Sequence, residues 1–116
     1  MRNLIAAAAL LLASCSATQD EFGREGRRFQ TSSIRTPLGA AGCVARNLEE
    51  AGGLTTSVRE SGDSRGFEVS ARNPNSSSVL IFARADPTQK GSFVTLWISP
   101  MQLNPEGAFA NAVKGC

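Results

Sequence analysis

Apolar positions change their period along this chain. Residues 4–13 are apolar without a break, whereas from residue 16 to about 34 large apolar side chains are sparse. There Phe22 and Phe29 stand among Gln, Glu, Gly, Arg and Ser. Leu38, Ala41, Val44, Ala45, Leu48 and Ala51 then recur at helical spacing and form one broad apolar face, with Arg46, Glu49 and Glu50 away from it. Thr36 can cap this helix, Pro37 suits its first position and Gly52-Gly53 suits its end. Gly39 and Gly42 weaken it intrinsically, so tertiary packing must hold it. Cys43 lies on the flank of the apolar face.

Strand-like stretches follow at 54–60, 67–72, 79–84 and 92–99, separated by turn-rich segments such as Asn73-Pro74-Asn75 and Asp86-Pro87-Thr88. Connections this short leave no room for crossovers, so the strands are expected to pair as an antiparallel meander. Asn104-Pro105-Glu106 repeats the helix-start signal, Phe109, Ala110, Ala112 and Val113 give that helix an apolar side, and Lys114-Gly115 suit its end. The expected domain, 36–116, is α+β: a four-stranded antiparallel meander with an N-terminal and a short C-terminal helix on one face.

The pleat then separates two faces. Leu54, Val58, Phe67, Val69 and Ala71 can point towards the helices, with Thr55, Ser57, Arg59, Glu68, Ser70 and Arg72 away from them. The last two strands are apolar in both parities. Val79, Ile81, Ala83, Val94, Leu96 and Ile98 can point inward, which leaves Leu80, Phe82, Phe93 and Trp97 on the far side. A contiguous apolar patch of that kind marks a protein partner, a self-association interface or a ligand groove. The alternative is that the upstream segment or the loop 100–103 covers it.

The N-terminal run has a different meaning. Arg2 supplies a short positive start, and residues 4–13 fall well short of the roughly 20 residues a membrane-spanning helix needs. The run ends in Leu12-Ala13-Ser14-Cys15, which resembles the lipobox of bacterial lipoproteins. The resemblance covers about the first 15 residues. It implies removal of residues 1–14, diacylglycerol on the Cys15 thiol and acylation of the new amine, hence stable attachment to a bilayer through more than one acyl chain. With Ser16 rather than an acid as the second mature residue, it also implies the outer membrane, facing the periplasm. The competing readings are a secretory signal cut near Ala17 and an uncleaved apolar N-terminus. Residues 15–35 are then the lipidated cysteine and a flexible tether. In it, Arg27-Arg28 beside Phe29 could touch headgroups or cell-wall polymer, or simply be solvated.

If Cys15 carries lipid, Cys43 and Cys116 remain as a pair in an oxidising compartment, and a disulfide is expected. A redox couple usually has its thiols close in sequence and a zinc site wants four ligands, and neither condition is met.

The chain has no His, which removes Ser-His-Asp and Cys-His constellations and His-containing metal sites. Ser76-Ser77-Ser78 lies in a turn with no base beside it, and Gly52-Gly53 follows a helix rather than opening one, unlike a phosphate loop. A net charge of +2 gives no field that points to nucleic acid. No catalytic residue, metal site or cofactor is therefore assigned. The expected role is a non-enzymatic, membrane-anchored interaction or assembly module of the cell envelope. An inhibitor or binder of an envelope-active enzyme such as a lysozyme or protease is the alternative, and a cell-wall hydrolase the next.

Overall fold

The structure, a computed structural model, describes residues 26–62 and 65–116. The described residues form an α+β fold with five antiparallel strands and two helices. The first helix, α1 (Pro37–Gly52), begins and ends where its capping residues dictate. The Thr36 hydroxyl accepts the Gly39 amide at 3.1 Å, and Gly53, at φ 63°, turns the chain left-handed and donates to the Glu49 carbonyl. Ala40, Ala41, Val44, Ala45 and Leu48 are its buried stripe. Small side chains on that stripe let the helix lie close to the sheet.

The strands are β1 (Arg27–Ser33), β2 (Thr55–Glu60), β3 (Phe67–Arg72), β4 (Val79–Thr88) and β5 (Gly91–Ile98), in the spatial order β1-β5-β4-β3-β2. The four-strand expectation is corrected here, because part of the stretch expected to be tether is a strand. Arg27–Ser33 pairs with β5, with Phe29 opposite Leu96 and Thr31 opposite Val94. A four-stranded meander would leave the whole of β5 as an open edge, and β1 closes it with backbone hydrogen bonds. Its polar sequence suffices because only Phe29, Thr31 and Ser33 point to the helix face. Gly91 makes the pairing possible: a Cβ there would sit 2.2 Å from the Ser33 carbonyl oxygen.

A second correction concerns the turn expected at 86–91. β4 and β5 run on through Thr88 and Gly91, so only Gln89 and Lys90 remain as the turn. Pro87 is tolerated because the pairing with β3 ends at Ala85, beyond which that side of β4 needs no ladder donor. α1 links β1 at one edge to β2 at the other and crosses the sheet between them.

Val69, Ala71, Ile81, Ala83, Ala85, Val94, Leu96 and Ile98 form the sheet side of the core, under α1 and Ala112 of the second helix. That helix, α2 (Pro105–Val113), is capped by the Asn104 side chain, which accepts the Gly107 amide at 3.2 Å. Nine residues are too few for a helix to persist alone in water, so its position depends on what grips it. Phe109 stacks on Phe29 with ring centroids 4.9 Å apart. Asn47 of α1 donates to the carbonyls of Ala112 and Lys114, each at 2.9 Å. The Cys43–Cys116 disulfide is present, and the Ser33 hydroxyl donates to the Cys116 carbonyl.

Candidate functional site: the open face of the sheet

Both helices pack on one side of the sheet, and among the described residues no element covers the other. Its side chains form rows across the strands. Strand pairing sets Arg28, Trp97, Phe82, Ser70 and Ser57 in one row, and Gln30, Thr95, Arg84, Glu68 and Arg59 in the next. Ser32, Phe93 and Asp86 make a third.

The expected neighbours Phe82 and Trp97 do meet, with ring centroids 5.6 Å apart and planes inclined at 44°. Phe82 is only 7% exposed, which leaves Trp97 as the accessible half of the pair. Phe93 lies on the same face, but Thr95 separates it from Trp97, about 13 Å along the strand. The face therefore carries two aromatic spots with a polar row between them, rather than one continuous apolar patch.

Leu80 is placed elsewhere. The β3–β4 register slips between Ala71, opposite Ile81, and Arg72, opposite Val79, so Leu80 is the extra residue of a bulge. The bulge turns its side chain to the helix face, where it packs against the core cluster. An alternation count along residues 79–84 cannot show this, because one inserted residue reverses the parity.

Charges on this face are paired, one pair within the polar row and one between it and the third row. Arg59 Nε is 3.0 Å from a Glu68 carboxylate oxygen, and Arg84 Nε is 2.9 Å from one of Asp86. Both pairs are partly covered, with Arg59 the most exposed member, and they fix where charge is presented. Sequence reasoning missed Gln30 and Ser32 and took Arg28 as part of the tether, whereas these three residues complete the face along β1. The alternation of Phe29 and Thr31 with Arg28, Gln30 and Ser32 is the signal that could have found them.

The loop 100–103 does not cover the open face. Leu103 lies instead at a cleft of about 410 Å³ between the helices, with Leu48, Leu54, Leu80 and Asn104 among its lining. No ionisable side chain lines that cleft, so it offers no acid, base or nucleophile. Among the described residues, no group of three or more His, Cys, Asp or Glu is placed to hold a metal. Cys15 and residues 16–25 lie outside the described residues, and so do the lipobox and the alternatives to it. Among the described residues no helix is long and apolar enough to cross a membrane. Comparisons with protein-family models, with curated proteins and with solved structures find no match to this chain.

Proposed function

We propose that this chain is a lipoprotein of the bacterial cell envelope, anchored in the outer membrane through acylated Cys15, whose domain works without catalysis as an interaction or assembly module. Its binding surface is the open face of the sheet, and the partner is a protein. The observation that supports this reading is the unequal treatment of the two sheet faces. One is sealed by both helices, a disulfide and the Asn47 clamp. The other presents Trp97, backed by the covered ring of Phe82, beside the Arg59–Glu68 and Arg84–Asp86 ion pairs, and no described element lies over it. Aromatic and arginine side chains in that mixture are what protein interfaces concentrate.

In-cell photo-crosslinking tests it. A photoreactive side chain at Gln30, on the open face, is expected to form a discrete protein adduct. The same group at Glu50, on exposed α1, is expected to form none. No adduct at Gln30, or equal adducts at both positions, would remove the open face as the binding surface. An adduct of the chain with itself identifies self-association. An adduct with an envelope enzyme whose activity falls on mixing identifies the inhibitor role.

A further inference from the structure

The chain enters the described domain at the start of β1, and pairing places Arg27 opposite Ile98, the last residue of β5. The turn that follows β5 therefore stands at the end of the sheet where the N-terminal segment arrives. This turn is built rather than loose. The Ser99 hydroxyl accepts the Met101 amide at 3.2 Å, the Ser99 carbonyl accepts the Gln102 amide at 3.0 Å, and Asn104 caps α2. It holds two large apolar side chains out into solvent: Met101 is 81% exposed and Leu103 87%. Neither is needed by the core.

The distance from the anchor is bounded by the chain itself. From Cys15 to Arg27 the backbone can span at most about 43 Å when fully drawn out. Whatever path it takes, the end of the domain that carries Met101 and Leu103 is the end it is tied to. Among the described residues Leu38 and Val58 are exposed to a lesser degree, and the remaining strongly exposed apolar residue, Ile34 at 91%, lies at the opposite end of β1, about 23 Å further on. Charge does not choose between the ends, since Arg27, Arg28 and Arg72 near the turn are balanced by Glu49, Glu50 and Glu106. The choice is made by tethering, which raises the effective concentration of the near end at the lipid surface.

We propose that the 99–104 turn, through Met101 and Leu103, dips into the lipid surface beside the acyl chains and sets the domain upright on the membrane. The inference rests on the lipoprotein reading. Apolar side chains on a compact turn enter the headgroup boundary without opening its backbone hydrogen bonds, since the Met101 and Gln102 amides already bond to Ser99. The strands then run away from the bilayer, and the open face is presented sideways to a partner within the envelope.

The test uses the full lipidated protein reconstituted in phosphatidylethanolamine and phosphatidylglycerol vesicles, with and without brominated acyl chains. Leu103→Trp and Ile34→Trp each add one indole to the native Trp97, and wild type gives the background. Both sites are so exposed that neither variant should change the melting curve. Wild type is expected to float with the vesicles. Leu103→Trp should then show blue-shifted emission and at least threefold more quenching by brominated lipid than Ile34→Trp. Flotation with equal quenching in the two variants, or quenching at neither site, overturns the membrane-contacting turn and leaves the anchor standing. Failure of wild type to float overturns the anchor, and the turn's role falls with it.

Discussion

Replacing Cys43 and Cys116 together by Ala tests how this small domain is held. The bridge joins residues separated by 73 positions, from the middle of α1 to the last residue of the chain. Loop-closure entropy for a ring of that size is worth about 4 kcal/mol at 25 °C. A domain of this length is stable by only about 5–15 kcal/mol, so the bridge is a large share of the total. The expected fall in melting temperature is about 20 °C. The Asn47 bonds to Ala112 and Lys114 survive the substitution, as does the Phe29–Phe109 stack, so α2 should still dock in the folded state. Two readouts separate global from local effects: far-ultraviolet ellipticity for the whole fold, and fluorescence of Trp97, the only tryptophan, for the open face. Both should melt together at the lower temperature. A loss of less than about 1 kcal/mol would refute loop closure as a main support of the domain. Early loss of helical signal, with the Trp97 transition unmoved, would show that the bridge secures α2 alone.

Other perturbations follow from the same packing. Gly91→Ala puts a Cβ against the Ser33 carbonyl and the Ile34 backbone, so β1 must withdraw. The expected cost is about 2–3 kcal/mol, with β1 amides losing hydrogen-exchange protection before those of β3 and β4; unchanged protection along β1 would contradict the close approach. Phe82→Ala should destabilise by about 3 kcal/mol although it faces away from the helices, because its ring is almost wholly covered. A change below about 1 kcal/mol in denaturant melts would mark Phe82 as a surface residue instead. Cys15→Ser should move the protein from the membrane fraction to the soluble fraction; persistence with membranes after a salt wash would exclude the acyl anchor.

The parts of the fold that rest on local chemistry were legible in the sequence. Thr36-Pro37 and Asn104-Pro105 mark the two described helix starts, because a side-chain acceptor followed by a ring without N–H suits that position when an apolar helical period follows, as it does not after Asn73-Pro74 or Asp86-Pro87. Phe67, Val69 and Ala71 give a strand with the correct inward face. The parts that rest on partners were not. β1 reads as tether because Arg27-Arg28-Phe29-Gln30-Thr31-Ser32-Ser33 has one large apolar residue, and its strand state comes from the open edge of β5. Asp86-Pro87-Thr88 reads as a turn, yet pairing with β5 draws it into β4. Alternation puts Phe82 and Trp97 on one face, pairing of β4 with β5 makes them neighbours, and the bulge that removes Leu80 from the open face is set by pairing with β3.

The measurement that bears most directly on the whole account is the intact mass of the protein extracted from bacterial membranes in detergent, with fragmentation of its N-terminal peptide. The account predicts a chain beginning at Cys15 that carries a diacylglycerol thioether and a further acyl group, with Cys43 and Cys116 oxidised. A chain beginning at another residue, or one with the mass of bare polypeptide, would contradict it.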